Sequence, residues 1–420
     1  MEKAGTDIRK VTIKASDLRG ILEYVPIYRG QTFVIALDGA IIAGANFANV
    51  VTDIAVLRSL GINVALVHGI GRQLVDGARE RGIAISDVHG EKPVDDATIS
   101  LSRKISGFVA QAIADAFSAR DLRCVSANVV RATEVGIISG VNYLNAGKPE
   151  KIDFKAISDL LSLGMVPVLS PVAVNRHGRV FRLNSDALAS EVAEGLRATK
   201  LIYLTSSSGI LAGNPHPKAF PVEELRGLVE NSPESIKPEL LSKCRCALKA
   251  LDGAHTRRAH ILDGGEFACL LTELFEKVGC GTMIYADEYQ KIRPAAAEDA
   301  TTIYNLSKIS IRSQNLVYRS LEEVLNRIDT YFVYEMDGSM QNLVYRPLGE
   351  IRENISSYFV YELDSSIIAI VSLLDLGEGA AELASLHVQP FYQGNDVGTR
   401  MAEFIEREAR RTGFKRLFCL

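Results

Sequence analysis

Residues 32–39 read TFVIALDG and residues 62–71 read INVALVHGIG. Each stretch is a short apolar run that ends in a glycine turn. Apolar positions at helical spacing follow, over 47–60 after the first run and over 72–81 after the second. A repeated order of strand, glycine turn and helix is typical of a parallel α/β sheet. Because the strands are continuously apolar, we expect helices to cover both faces of the sheet.

The same pattern continues towards the middle of the chain and defines a large first domain. Further apolar strands are predicted at 165–169, 201–204 and 259–262, with a helix at 186–195. The polar segment YADEYQKIRP begins at Tyr285, and we place a domain boundary there. The sequence therefore predicts three parts. These are a helical segment at 1–30 (with an amphipathic helix at 17–29), an α/β domain at 31–290 and a smaller α+β domain at 291–420.

The smaller domain contains an internal repeat. Residues 314–339 recur 27 residues later as 341–366, with 16 of 26 positions identical. Each copy is predicted to form a helix followed by a strand that reads YFVY. Two copies are too few for a repeat architecture, so we interpret the pattern as a local duplication, with a second ligand site as the alternative.

Composition excludes several classes of protein. The chain has 420 residues, of which 47% are hydrophobic and 23% charged, as in ordinary globular proteins. Its net charge of −4 gives no basic field for nucleic acid or anionic lipid. The six cysteines lack metal-site spacing, so we expect reduced thiols, no metal and a cytoplasmic location. No apolar run is long enough for a membrane helix, and no secretion signal is visible.

Two kinds of glycine-containing turn could bind an anion. The turns at 38–39 and 68–71 each follow a strand and precede a helix, although such turns are often purely structural. The segment 388–400 (VQPFYQGNDVGTR) also leads from a strand into an amphipathic helix. Its spacing Gln393-x-x-Asp396-x-Gly398 offers successive backbone donors that suit a pyrophosphate, and an ordinary loop is the alternative.

The chain resembles a known two-module family. Residues 388–398 resemble the acetyl-coenzyme A loop of GNAT-type N-acetyltransferases, although Asp396 stands where a glycine is usual. Residues 17–292 resemble the amino-acid kinase fold of acetylglutamate kinases, through TFVIALDGA at 32–40, LVHGIGRQL at 66–74, NSDALASEVA at 184–193, LIYLTSSSGIL at 201–211 and GCGTMI at 279–284. The two modules in this order resemble the bacterial N-acetylglutamate synthases.

This resemblance implies a fold and an activity. The fold would be α/β, with a parallel-rich amino-acid kinase-like sheet sandwiched by helices, plus a smaller α+β GNAT-type domain. The activity would be transfer of acetyl from acetyl-coenzyme A to the α-amine of L-glutamate, the first step of arginine biosynthesis. L-Arginine would be an inhibitor. A homo-oligomer is expected, with a hexamer as one option, and neither nucleic acid nor a membrane is an expected partner.

The resemblance also assigns residues to roles. Glu382 would accept the amine proton, although a plain surface glutamate is the alternative. Arg319, or its duplicate Arg346, would contact the glutamate carboxylate, and Glu273 and Gly279 would bind arginine. The alternative for Glu273 is a solvated acid on a helix face. The acetyl-coenzyme A contacts would come from Leu386, His387, Val388, Gln393, Gly394, Asn395, Asp396, Val397 and Gly398.

Several positions depart from the family pattern. Ala36 stands where active kinases carry a lysine, Asp38 replaces a glycine, and Ser206 replaces an aspartate, while Lys243 remains. Phosphoryl transfer depends on such cations, so we expect the first domain to be non-catalytic. The sequence also stops before the last strand of the synthases, which leads us to expect a fragment or a defective copy. An acetylglutamate kinase and an arginine-binding regulatory protein with a broken transferase half are the alternative functions.

Overall fold

The computed structural model describes residues 28–212, 219–253, 255–275, 280–286, 290–294, 332–334, 358–363, 366–377, 379–388 and 397–419. The chain divides into two compact units, Met1–Ala286 and Asp287–Leu420. The predicted helix at 17–29 lies almost wholly outside the described residues, as does the helical part of each repeat copy. No described helix combines the length and the apolar character that crossing a membrane requires.

The strands of the first unit are β1 (Thr32–Leu37), β2 (Asn63–His68), β3 (Cys124–Ser126), β4 (Val130–Glu134), β5 (Ile137–Ile138), β6 (Val141–Asn142), β7 (Gly147–Ile152), β8 (Val166–Leu169), β9 (Val172–Val174), β10 (Val180–Arg182), β11 (Lys200–Thr205), β12 (Ala219–Pro221), β13 (Arg258–Asp263) and β14 (Thr282–Tyr285). Its main sheet has eight strands in the order β12-β14-β13-β11-β1-β2-β8-β3. Only the β13–β14 pair is antiparallel. The expected parallel-rich α/β sheet is confirmed.

Strand β1 shows why this sheet is buried on both faces. Side chains of a strand alternate between the faces. Val34 and Ala36 accordingly join one hydrophobic core, while Phe33, Ile35 and Leu37 join the core on the opposite face. Helices supply the partners on each side, as the continuous apolar runs predict.

The helices of the first unit are α1 (Gly39–Ile42), α2 (Phe47–Ser59), α3 (Gly71–Arg81), α4 (Asp96–Ser118), α5 (Phe154–Ser162), α6 (Ser185–Gly195), α7 (Val222–Asn231), α8 (Pro238–Asp252) and α9 (Cys269–Phe275), with a 3₁₀ turn at Pro233–Ser235. Helix α4 begins where the Asp95 carboxylate accepts the Thr98 N–H at 2.7 Å. Neither α4 nor the four-stranded sheet β10-β9-β4-β7 was predicted from the sequence.

The second unit contains strands β15 (Gln290–Pro294), β16 (Phe332–Tyr334), β17 (Tyr358–Leu363), β18 (Ser366–Gly377), β19 (Ala380–Val388) and β20 (Arg416–Cys419), with one described helix, α10 (Val397–Arg411). They form one sheet in the order β16-β15-β17-β18-β19-β20, in which only β19–β20 is parallel. Helix α10 buries one face, with Val397, Met401, Ile405 and Ala409 at a spacing of four residues.

The strands of both repeat copies pair with β15, β16 through Ile292–Pro294 and β17 through Gln290 and Lys291. The strand of the first copy, β16, forms the outer edge of the described sheet. The strand of the second copy, β17, lies inside the sheet between β15 and β18. Both predicted strands exist, and only the second is an interior strand.

Candidate functional site

The first candidate site surrounds Glu273 on α9. Its Oε1 lies 2.7 Å from Nδ1 of His260 on β13, and its Oε2 accepts the Gly281 N–H at 3.0 Å. Nε2 of His260 lies 3.4 Å from Nζ of Lys200 on β11. The Glu273 and His260 side chains are only 4% and 2% exposed. Glu273 is therefore not a solvated acid, and that alternative is wrong. Gly279 lies outside the described residues.

The protonation states of this cluster follow from its burial and its charges. Burial, reinforced by Lys200, lowers the pKa of His260 to about 4, so the ring is neutral at pH 7. The Nδ1–H of His260 then donates to Glu273. Burial alone would raise the pKa of Glu273, but the hydrogen bonds from His260 and Gly281 hold it below its usual range. The cluster is thus a buried carboxylate beside a neutral imidazole and an ammonium.

Asp53 faces the start of the helix that carries Glu273. It is a buried residue of α2, and the backbone N–H groups of Leu270 and Leu271, in the first turn of α9, lower its pKa. Its Oδ2 is buried without a hydrogen bond to the described residues. Burial raises the pKa of Asp53 to about 6.

Sequence reasoning missed Asp53, Lys200 and His260, although a signal was present. Each is a polar residue within an otherwise apolar pattern: Asp53 lies among the buried positions of α2, and the other two lie in buried strands. Buried polar groups need partners, so their positions suggest mutual contacts.

The second candidate site lies at the carboxyl ends of β1 and β11. Nζ of Lys243, on α8, lies 2.9 Å from an oxygen of Asp38 and 2.9 Å from an oxygen of Asp186. Burial alone would lower the pKa of Lys243, but the two carboxylates raise it, so the ammonium is always charged. Ala36, two residues before Asp38 in the sequence, is buried and supplies no positive charge. The only positive group in contact with Asp38 in the described chain is therefore already shared between two carboxylates.

The third candidate site lies where β19 is irregular. Ser372 of β18 pairs with Ala384, but Ile370 pairs with His387, so β19 carries one extra residue between these pairs. Such a bulge leaves backbone groups outside the regular ladder. The bulge lies at Ser385 and Leu386, between the paired residues Ala384 and His387, and the backbone there departs from the regular ladder with β18.

The start of α10 lies next to the end of β19. A Cβ atom built on Gly398 would lie 3.6 Å from Cγ2 of Val388. The structure thus brings together two predicted cofactor contacts that are ten residues apart in the sequence. Gln393, Gly394, Asn395 and Asp396 fall between them, outside the described residues. Val397 is the buried first residue of α10.

The predicted catalytic and substrate residues can be placed only in part. Glu382 is half-buried and lies in β19 between the buried residues Ala381 and Leu383, so its side chain points to the opposite face of the sheet. It lies opposite Leu374 on β18. Both predicted glutamate-binding residues, Arg319 and Arg346, lie outside the described residues.

Comparison with known proteins identifies both modules. The amino acid kinase family matches residues 31–263, and the acetyltransferase (GNAT) family matches residues 321–420. The amino-acid acetyltransferase of Azotobacter vinelandii is 30% identical over 419 residues, which covers 96% of this chain and 89% of the relative. The corresponding protein of Pseudomonas syringae pv. syringae is 31% identical over 422 residues, with the same coverage.

Solved structures lead to the same conclusion. N-acetylglutamate synthase from Neisseria gonorrhoeae, complexed with coenzyme A and L-arginine, matches 97% of this chain and 90% of its own, with 27% identity and a TM-score of 0.72. The same enzyme with coenzyme A and N-acetyl-glutamate gives a TM-score of 0.64. The matches define a protein that joins an amino acid kinase-like domain to a GNAT acetyltransferase domain. This chain belongs to the amino-acid acetyltransferase family.

Proposed function

We propose that this chain transfers the acetyl group of acetyl-coenzyme A to the α-amine of L-glutamate and forms N-acetyl-L-glutamate, the first step of arginine biosynthesis. The observation that carries the proposal is the bulged end of β19 in contact with the start of α10. The synthase from Neisseria gonorrhoeae, which has been solved with coenzyme A and N-acetyl-glutamate, has a similar fold over almost the whole chain.

The proposed reaction gives the described elements of the second unit roles in acetyl transfer. The amine nitrogen attacks the thioester carbonyl carbon, the carbon–sulfur bond breaks, and the departing thiolate takes up a proton. Backbone groups of Leu386 and His387 at the bulge orient the acetyl carbonyl. The positive end of the 15-residue helix α10, near Gly398, faces the pyrophosphate.

Proton transfer and substrate binding complete the proposed reaction. Glu382 accepts the proton of the glutamate amine, directly or through a water molecule. The segment from Gln393 to Val397 supplies further backbone donors to the pyrophosphate. Arg319 or Arg346 pairs with the glutamate carboxylate, since a guanidinium matches the two oxygens of that group.

We further propose that the first unit binds L-arginine as an inhibitor. Glu273 supplies a buried carboxylate for the guanidinium or the α-ammonium, Gly279 contributes from six residues further along the sequence, and Lys200 can meet the arginine carboxylate. A charge-assisted hydrogen bond is stronger than a neutral one, so an arginine cation could replace His260 as the partner of Glu273. The Neisseria gonorrhoeae enzyme has been solved with L-arginine, which supports this assignment.

The other functions have less support. An acetylglutamate kinase would need a cation at Ala36, and Lys243 is held by two carboxylates. A regulatory protein with a broken transferase half is favoured by Asp396, whose charge would oppose a pyrophosphate. A cytoplasmic location is consistent with the free thiols of the five cysteines whose side chains the structure describes. The homo-oligomer stays a prediction.

Replacement of the proposed base tests the reaction. Glu382→Gln should lower kcat by about 10²- to 10⁴-fold, the usual contribution of general base catalysis, and leave the acetyl-coenzyme A affinity unchanged. Glu403→Gln, at an exposed position of α10, is the matched control and should have no effect. Thiol release from acetyl-coenzyme A in the presence of glutamate measures both. Full activity in Glu382→Gln would remove Glu382 from the mechanism.

A further inference from the structure

The crevice at the carboxyl ends of β1 and β11 has the features of an anion site. The sheet order β11-β1-β2 places the neighbours of β1 on opposite sides, and ligands of open α/β sheets bind where the strand order reverses in this way. The backbones of two glycine turns, at 38–39 and 68–71, approach one another here. A Cβ on Gly39 would lie 3.1 Å from the Gly71 nitrogen, and one on Gly69 would lie 3.3 Å from the Gly39 nitrogen.

Polar groups at the same edge lack partners among the described residues. Nε2 of His68, the last residue of β2, is buried without a hydrogen bond. Oε1 of Gln73 is also buried without a hydrogen bond, while its Nε2 donates to the Gly39 carbonyl at 2.8 Å. Buried polar atoms are normally paired, so these two point to a place built for a ligand. Both are acceptors, because the Nδ1–H of His68 faces the Gly69 carbonyl, so they suit a donor group of the ligand, while its anionic part would face the glycine backbone and Lys243.

Lys243 places a cation in this crevice. Two carboxylates already contact its ammonium, and they differ in how far they are exposed to solvent. Asp186 lies in the first turn of α6 with its side chain 10% exposed, whereas the Asp38 side chain is 30% exposed. Asp38 therefore lies on the open side of the ammonium and Asp186 on the closed side. Although Asp38 immediately precedes α1, its side chain caps no helix and is directed to Lys243 instead.

We propose that Asp38 is an internal counter-ion that fills the anion position at Lys243 and closes this crevice to external oligophosphates. An incoming phosphate would have to displace a carboxylate or lie beside two negative charges. In a buried site such repulsion is weakly screened, so either route is costly. The crevice keeps the shape of an anion site but excludes the anion, a property separate from acetyl transfer in the second unit.

The proposal predicts that neutralising Asp38 opens the crevice. Inorganic tripolyphosphate is the probe, and calorimetry with the full chain at low ionic strength is the measurement. Wild type should show no saturable binding at millimolar concentrations. Asp38→Asn and Asp38→Gly should bind tripolyphosphate at least about ten times more tightly than wild type. A charge-assisted hydrogen bond to Lys243 contributes at least about this much affinity. Binding should disappear again in the double variant Asp38→Gly with Lys243→Met.

Asp186→Asn is the matched control. It removes the same charge from the same ammonium but on the closed side, so it should not admit tripolyphosphate. Asp38→Asn preserves side-chain volume and a hydrogen-bond acceptor, which keeps the test valid if the glycine variant unfolds. Three results would overturn the proposal: wild type that binds as tightly as the Asp38 variants, folded Asp38 variants that do not bind, or an equal gain in Asp186→Asn.

Discussion

At the residue scale, buried charges determine what the first unit can bind. Glu273 has both carboxylate oxygens engaged, one by His260 and one by the Gly281 backbone. Lys200 lies on the far side of the same imidazole. A site whose groups satisfy one another is preformed without its ligand, and a ligand must offer stronger bonds than those it replaces. Arginine meets this condition, because its guanidinium presents five charged donors.

Removal of the Glu273 carboxylate should weaken arginine binding. Glu273→Ala is expected to lose one charge-assisted hydrogen bond, about 1.5–3 kcal/mol or roughly 10- to 150-fold in affinity. Glu273→Gln, which keeps acceptor capacity for the Gly281 N–H, separates this loss from a folding defect. Thermal-shift titration with arginine measures the effect. The exposed Glu266→Ala should respond like wild type, and an equal response from Glu273→Ala would refute the arginine assignment.

Asp53 should give the first unit a distinctive pH dependence. Its folded-state pKa of about 6 lies above the ordinary value of 3.8. As the pH falls, the folded state therefore binds a proton at Asp53 before the unfolded state does. Compared with Asp53→Asn, wild type should therefore gain about 2–3 kcal/mol of unfolding free energy between pH 7 and pH 4. Urea denaturation over this range measures the difference, with Asp121→Asn as an exposed control. A constant difference would show that Asp53 is not buried as described.

The residues that sequence reasoning missed share one physical property. Lys200 begins a strand of mostly apolar residues, His260 lies between the apolar residues Ala259 and Ile261, and Asp53 lies within a helix that also has a wide buried face. Hydrophobic patterning predicts that such positions are buried but says nothing about which polar groups meet. Contacts across strands such as Lys200 to His260 depend on register, which only the folded sheet determines.

At the element scale, the two repeat strands allow a matched comparison. Val333 and Val360 occupy equivalent positions of the two copies. Val333 lies in the edge strand β16 opposite Arg293, and Val360 lies in the interior strand β17 opposite Ile370. The sequence predicted both strands but could not decide which copy is interior, since the copies are nearly identical there.

Proline substitution should distinguish the two copies. Proline removes a backbone donor and is tolerated at sheet edges but not within sheets. Val360→Pro should destabilise the second unit by about 1–3 kcal/mol, the cost of an unsatisfied buried backbone group, and weaken acetyl-coenzyme A binding. Val333→Pro should leave both nearly unchanged. Thermal unfolding and calorimetry measure the pair, and the reverse order would place the first copy inside the sheet.

The start of α10 should be sensitive to added charge. Gly398→Glu introduces a carboxylate where we propose that the pyrophosphate binds, so acetyl-coenzyme A affinity should fall about tenfold or more. Asp396→Gly removes a neighbouring negative charge and should leave the affinity unchanged or increase it. Gly398→Ala is the control for size, because its Cβ would make only an ordinary contact with Val388. Equal affinity in all four proteins by calorimetry would place the ligand elsewhere.

At the scale of the whole molecule, local signals predict the order of elements better than their pairing. The apolar runs predict strands at 32–37 and 62–67. The first coincides with β1, the second is displaced by one residue from β2, and the predicted helix at 72–81 begins one residue after α3. Helix α4 was missed because several of its buried positions are Thr98, Ser102 and Ser106, which weaken its apolar periodicity. Short strands such as β9 and β10 carry too few residues for a pattern to emerge.

For the candidate sites too, local features could be predicted from the sequence, whereas contacts between distant residues could not. The sequence predicted the strand–helix junction between β19 and α10 as a candidate site, because glycine turns and such junctions are local features. It could not predict the bulge in β19, which exists only through pairing with β18. It also could not predict that Asp38 meets Lys243, since these residues are far apart in the chain and meet only when β1 and α8 pack.

The most direct test of the account measures coenzyme A release from acetyl-coenzyme A by the purified full chain, with L-glutamate present and absent. Acetyl transfer to the glutamate amine predicts thiol release that saturates with glutamate, with one N-acetyl-L-glutamate formed for each thiol. Arginine should reduce this rate in wild type and much less in Glu273→Ala. Thiol release that is absent, or equal with and without glutamate, would contradict the assignment of this chain as a glutamate N-acetyltransferase.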